Sequence, residues 1–222
     1  MPSVGGGGGG LIWSDNISVS PSEVLEVHVG AAGTGIADQL EKRGLKAEDV
    51  TAIVATHLHV DHIGAYVDFP NAEVIAPAGE FTYGKHRGVL NGYAHIPGIL
   101  RSGRARPIVW RGTAREGFPA HLDLFGDGQV ILFDARGHTA GSVAVWLNDA
   151  ETGQSVLMAG DAVYSRNEYR EHRACWLTRM LAWRDHYVRA TWGRLQAFED
   201  AHPESPVIPA HDYDAWCEVC RH

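Results

Sequence analysis

Thr56-His57-Leu58-His59-Val60-Asp61-His62-Ile63-Gly64 sets three histidines and one aspartate within six residues, in the spacing H-x-H-x-D-H. Imidazole and carboxylate are the side chains that a borderline divalent metal prefers. One histidine alone would read as a helix cap, a satisfied core group or a solvated side chain. Crowding this many polar groups together without a strong shared partner is costly, so the cluster points to a metal site. The apolar run that precedes it, Val50-Thr51-Ala52-Ile53-Val54-Ala55, is short, β-branched and uncharged, which predicts a buried strand. The polar cluster then occupies a loop held at the end of a rigid element.

Three further stretches offer ligands from the same kind of place. Gly137-His138-Thr139-Ala140-Gly141-Ser142 puts a histidine in a Gly-flanked turn between two expected strands. Leu157-Met158-Ala159-Gly160-Asp161 puts an aspartate just after a buried strand, and Ile208-Pro209-Ala210-His211-Asp212 puts a histidine after the last one. Each read alone is a structural turn. Together they bring polar residues from four strand ends, which is how one site is assembled from distant sequence.

The elements that must position these residues can be read along the chain. Leu25 to Val29 alternates like a strand, and Ile36 to Arg43 reads as a short helix closed by Gly44. After the histidine cluster, Gly64 to Val67 continues a short helix, and Ala72 to Ala76 is a strand closed by Pro77. Residues 78–105 have no sustained period and read equally as an insert over the site or as a solvated loop. Strands are expected at 107–111, 129–134, 142–147 and 155–159, with turn signals at Asp127-Gly128 and Glu151-Thr152-Gly153. Arg173 to Ala201 is helical in composition, and Val207-Ile208-Pro209 is a last short strand. The aromatics of the long helix read as core packing, with a pocket wall or a face for pairing with a second copy left open for Trp176, Trp183 and Trp192. This pattern argues for packed β-sheet layers with helices outside.

Composition narrows the function classes. The 222 residues suit one ordinary domain, and 45% apolar with 21% charged residues is globular composition. A formal net charge of -8 argues against a nucleic-acid partner, which needs a concentrated basic surface. No apolar run approaches the ~20 residues of a membrane span, and Met1-Pro2-Ser3-Val4 has no basic leader. With three cysteines and no export signal, the expectation is a reduced, cytoplasmic chain. The glycine run 5–10 lacks the Lys-Ser/Thr of a phosphate loop, and Gly30 to Gly35 lacks dinucleotide spacing. Cys217-Glu218-Val219-Cys220 is a lone C-x-x-C, a weak zinc signal without a second pair, and reads as a frayed tail.

H-x-H-x-D-H, then G-H-T-x-G-S, then G-D, then a late A-H, resembles the metallo-β-lactamase superfamily in that order, over about residues 24–216. The resemblance implies an α+β fold, the four-layer αββα sandwich, with metals at the sheet edges between its halves. It implies two Zn2+, or other divalent ions, with His57, His59 and His138 on one and Asp61, His62 and His211 on the other. Asp161 would bridge them. Two such ions about 3.5–4 Å apart share a hydroxide, and zinc brings the pKa of its water to about 7. Asp61 would also accept a proton or orient the hydroxide.

Asp161-Ala162-Val163-Tyr164 resembles the N-acyl-homoserine lactonase branch. That implies Tyr164 as a hydrogen-bond donor to a developing oxyanion, against the plainer reading of a tyrosine packed beneath the site. The expected activity is hydrolysis of a lactone or related carboxylic ester by metal-bound hydroxide, on a small-molecule substrate. The alternatives are a thioester hydrolase of the glyoxalase II type, a persulfide dioxygenase with one iron, and a remnant that only binds metal. Relatives carry several strands before the first motif, and His28-Val29-Gly30 stands where they often have Asp-Thr-Gly. Residues 1–23 are therefore expected to be a flexible, Gly-rich N-terminus, 24–222 the metallo-β-lactamase-like domain, and the N-terminal sheet incomplete.

Overall fold

The computed structural model describes residues 10–13 and 35–219. The strand expected at 25–29 and Cys220 lie outside them. A first sheet runs in the order β1 (Gly10–Trp13), β2 (Ala52–Ala55), β3 (Glu73–Pro77), β4 (Ala105–Ile108). β1 is antiparallel to β2, and β2, β3 and β4 are parallel. A second sheet runs β5 (His121–Asp123), β6 (Val130–Asp134), β7 (Val143–Asn148), β8 (Ser155–Gly160), β9 (Val207–Pro209). Its first four strands are antiparallel neighbours, and β9 joins β8 in parallel.

Strand alternation explains why the sheets stack. Ala52 and Val54 of β2 pack with Ile75, Ile108, Val130, Leu132, Val143 and Val145 in one buried layer between the sheets. Ile53 and Ala55 of the same strand face a second layer with Leu40, Ile63, Phe81, Ile96 and Ile99. These come from α1 (Ile36–Glu41), α2 (Val60–Ile63), α3 (Ala78–Arg87) and α4 (Ile96–Arg101). On the far side, Ile131 and Phe133 of β6 pack with Tyr169, Val188, Trp192, Leu195 and Phe198, from α5 (Arg166–Glu171) and α7 (Asp185–Ala201). Three apolar layers separate four layers of structure, the expected αββα sandwich. Each fully buried Leu, Ile or Phe in these layers contributes about 1.5–3 kcal/mol relative to exposure.

Several elements depart from the sequence reading. Gly10–Trp13, at the end of the glycine run, pairs with β2, although it falls within the stretch 1–23 expected to be a flexible N-terminus. Residues 78–105 are not a solvated loop, and part of the stretch lies against the histidine cluster, with Val60 N–H donating to Gly92 O at 2.8 Å. They form α3 and α4, and Phe81, Tyr93, Ile96 and Ile99 are buried. The helix after the histidine cluster starts at Val60 and continues as a 3-10 turn over Gly64–Asp68.

The single helix expected over 173–201 is two, α6 (Trp176–Leu181) and α7. Ala182 is extended, and the next two amides leave the helix: Trp183 N–H donates to His138 O at 2.9 Å and Arg184 N–H to Gly137 O at 3.2 Å. Tertiary hydrogen bonds to the His138 turn break the helix there. The three tryptophans separate accordingly. Trp192 is core, Trp183 lies stacked on Tyr187 with centroids 5.5 Å apart, and Trp176 is exposed. The Cys175 thiol caps α6 by accepting from Thr178 N. A last helix, α8, spans Tyr213–Val219.

Candidate metal centre

All seven expected ligands lie at strand ends on one edge of the sandwich. The chain leaves β2 at Ala55, and Thr56 O accepts Val143 N–H at 2.8 Å, which ties the two sheets together at that edge. His57 follows, fully buried. His59 is the N-cap of α2, so its carbonyl accepts the amides of His62 and Ile63. That one turn of helix aims Asp61 and His62 back toward His57, whose ring lies 4.0 Å from that of His62.

His138 sits in the connection from β6 to β7. The turn is closed by Ala135 N–H to Ser142 O at 3.0 Å, Thr139 N–H to Ser142 Oγ at 3.0 Å, and the Thr139 and Ser142 hydroxyls 2.8 Å apart. This is why Thr and Ser accompany the histidine in G-H-T-x-G-S. Asp161 follows β8 directly, and His211 follows β9, whose neighbour Ala210 donates to Gly160 O at 3.1 Å.

The ligand atoms converge as two groups. His57 Nε2 is 3.0 Å from His59 Nδ1, and His138 Nε2 is 3.1 Å from the same atom. On the other side, His62 Nε2 lies 3.6 Å from Asp61 Oδ2 and belongs with His211. The Asp161 carboxylate stands between. Its Oδ1 is 3.2 Å from His62 Nε2 and 3.2 Å from His211 Nε2. Its Oδ2 is 3.6 Å from His138 Nε2 and 3.9 Å from His57 Nε2.

The residues fit a divalent metal on geometry as well as type. Asp161 Oδ1 is buried and makes no well-angled hydrogen bond despite those near imidazoles. A buried carboxylate oxygen in that state is costly unless a cation meets it. Within each of three overlapping groups, His57-His59-His138, His57-His62-Asp161 and Asp61-His62-His211, the ligand atoms all lie within 4.8 Å of one another.

Electrostatics favour the ligating forms. Burial, reinforced by His62, holds His57 well below the ordinary imidazole range, and burial lowers His59 too. Burial brings His138 down to about 4. These rings are neutral at pH 7, with lone pairs free. Burial alone would raise the Asp161 carboxyl, but His62, His211 and His57 around it hold it well below the usual range, so it is ionised. The neighbouring Asp161 carboxylate moves His211 upward.

Tyr164 lies over both groups, its ring 5.8 Å from that of His138 and 5.3 Å from that of His211. Burial, with the Asp161 and Asp61 carboxylates, pushes its phenol above the usual range, so it keeps its proton and can donate. Its backbone N–H donates to Glu168 Oε2 at 3.0 Å.

Sequence reading missed two neighbours. The Tyr93 ring packs at 4.7 Å from that of His59, and its hydroxyl donates to buried Glu80. Glu80 follows β3 by three residues, so the strand-end rule that found the other polar groups applies to it as well.

A chain with this layered fold and this edge cluster belongs to a known family: residues 22–211 match the Metallo-beta-lactamase superfamily. Among curated relatives, N-acyl homoserine lactonase AttM of Rhizobium radiobacter is 28% identical over 186 residues, which are 82% of this chain and 65% of that protein. The probable metallo-hydrolase Rv2300c of Mycobacterium tuberculosis is 31% identical over 195 residues, 81% of this chain and 60% of that protein. The chain thus spans roughly 60 to 65% of the length of these relatives. A solved N-acyl homoserine lactone hydrolase, with N-hexanoyl-L-homoserine at its catalytic metal centre, superposes with a TM-score of 0.65. It covers 85% of this chain and 66% of its own, at 20% identity, a likeness of fold.

Proposed function

We propose that this chain is a dinuclear zinc hydrolase that opens a lactone of the N-acyl-homoserine type or cleaves a related carboxylic ester. The observation that carries the proposal is the Asp161 carboxylate, with one oxygen toward His62 and His211 and the other toward His57 and His138. On this reading His57, His59 and His138 would hold one ion, Asp61, His62 and His211 would hold the other, and Asp161 would serve both groups. Bound there, a divalent pair would supply Lewis acidity and a lowered pKa for bound water.

The chain's own residues do the rest. His57 and His138, neutral at pH 7, present lone pairs without first losing a proton. Tyr164 donates its phenolic hydrogen to the substrate carbonyl oxygen as negative charge develops there. Asp61, whose side chain is 46% exposed, is open to the site's water and orients it or takes up its proton. The relatives named as N-acyl homoserine lactonases support a small lactone as substrate.

The test is a panel of N-acyl-homoserine lactones, simple esters and a glutathione thioester offered to the zinc-loaded protein. Lactone or ester opening is expected to dominate, and preference for the thioester would move the assignment to that reaction. Tyr164→Phe is expected to lower turnover by up to about 10²–10³-fold with zinc content unchanged. Unchanged turnover would remove Tyr164 from the reaction.

A further inference from the structure

Glu80 belongs to neither ligand group, yet its carboxylate is fully buried at the start of α3. Oε1 accepts from Leu58 N–H at 3.1 Å and from the Tyr93 hydroxyl at 3.0 Å, and Oε2 accepts from Gly141 N–H at 3.0 Å. Leu58 separates His57 from His59. Gly141 closes the turn that carries His138. One carboxylate therefore joins the loop after β2, in the first sheet, to the β6–β7 turn of the second. The approach is tight: a Cβ on Gly141 would come within 2.5 Å of Glu80 Cβ and 2.7 Å of its backbone nitrogen, which only glycine allows.

These three partners are neutral donors. A carboxylate placed for stability alone would be a poor choice, since a buried charge costs more than an apolar side chain of similar volume. What it does offer is two oxygens at fixed separation, each gripping one ligand-bearing loop. Tyr93 reinforces the arrangement, with its hydroxyl on Glu80 and its ring against His59.

We propose that Glu80 is a positioning residue for the metal centre. It clamps the Leu58 and Gly141 amides so that His57, His59 and His138 converge before any metal arrives. The proposal rests on the reading of those histidines as metal ligands.

Glu80→Gln tests it. An amide has one acceptor oxygen and one donor nitrogen, so in either orientation its NH2 faces Leu58 N–H and the Tyr93 hydroxyl, or Gly141 N–H. Zinc affinity, read by competition with a chromophoric chelator, is expected to fall about 10–100-fold, as outer-shell substitutions do. Phe198→Ala, in the core beyond the second sheet, is the matched control for lost stability and is expected to keep wild-type affinity. Wild-type zinc affinity in Glu80→Gln, or an equal loss in Phe198→Ala, overturns the proposal.

A second measurement needs no variant. In the metal-free wild-type protein, the Leu58 and Gly141 amides are expected to resist hydrogen exchange. Exchange as fast as in exposed loops, slowed only when zinc is added, overturns it. Failure of the wild type to bind zinc at all would instead strike the ligand assignment, and the clamp with it.

Discussion

Replacing Glu168 by glutamine isolates how the chain holds Tyr164. Glu168 is buried, and its three contacts are specific. Oε2 accepts from Tyr164 N–H at 3.0 Å, and Oε1 accepts from Cys175 N–H at 2.8 Å and Thr178 Oγ1 at 2.6 Å. Glutamine keeps the shape but turns one acceptor into a donor. Its better orientation keeps the oxygen toward Cys175 and Thr178, which leaves an NH2 against Tyr164 N–H. One hydrogen bond to a charged acceptor, worth about 1.5–3 kcal/mol, is lost, and a buried donor is left unpaired at about 1–3 kcal/mol. Removing a buried charge returns part of this, so the net loss is about 2–3 kcal/mol. For a chain of this size that lowers Tm by about 4–12 °C. Freed from its anchor, the Tyr164 loop drifts, and kcat is expected to fall about 10-fold with KM little changed. Thr178→Val is the comparison. It removes one donor to Oε1 and leaves Tyr164 anchored, so it costs about 1 kcal/mol and leaves kcat intact. Urea unfolding and steady-state kinetics on a lactone substrate read both quantities. Wild-type stability and kcat in Glu168→Gln, or equal kcat losses in the two variants, would show that Glu168 does not hold Tyr164 in place.

Gly160→Ala should destabilise the site edge. Gly160 has φ +54, and an added Cβ would sit 2.7 Å from Thr56 Cβ, next to His57. Strain and overpacking together predict a loss of about 2–4 kcal/mol by urea unfolding; a loss under about 0.5 kcal/mol would show that the contact yields freely. Glu199 supplies a pH signature away from the metals. Burial pushes its carboxyl up, but hydrogen bonds from Arg170 and Tyr169 pull it further down, to a net value below the ordinary range. The native state then binds fewer protons than the unfolded chain, whose glutamates titrate at about 4.3. Its contribution is complete above that value and is lost as pH falls through the lower native pKa. Glu199→Gln is expected to be less stable than wild type at pH 7, with the gap closing below about pH 4; a gap constant down to pH 3 would contradict the ion pair's role.

Much of the site was legible because ligand chemistry is local. H-x-H-x-D-H follows a strand whose apolar, β-branched run is plain, and G-H-T-x-G-S contains the two hydroxyls that close its own turn. Packed sheet layers followed from the order of the expected strands and helices, and the run 130–133 is apolar throughout because Val130 and Leu132 face one layer and Ile131 and Phe133 the other. What escaped was set by partners distant in sequence. Nothing within 173–201 announces that Trp183 and Arg184 will bond to the carbonyls of His138 and Gly137, yet those bonds end one helix and begin the next. Residues 78–105 lack a period because their short helices bury few faces, and Glu80 looks like a surface residue until Leu58 and Gly141 meet it. Gly10–Trp13 is a strand because β2 offers it an edge, not because its own residues demand one.

Metal stoichiometry and turnover, measured together, decide whether the edge cluster is a two-metal hydrolytic centre. The chain is stripped with a chelator and titrated with zinc while N-acyl-homoserine lactone opening is followed. Activity is expected to be absent in the stripped protein, to return with zinc and to saturate at two equivalents per chain, and Asp161→Asn is expected to fall short of two. Full activity with one equivalent, or tight binding of one iron without lactone opening, would contradict a two-metal hydrolytic centre.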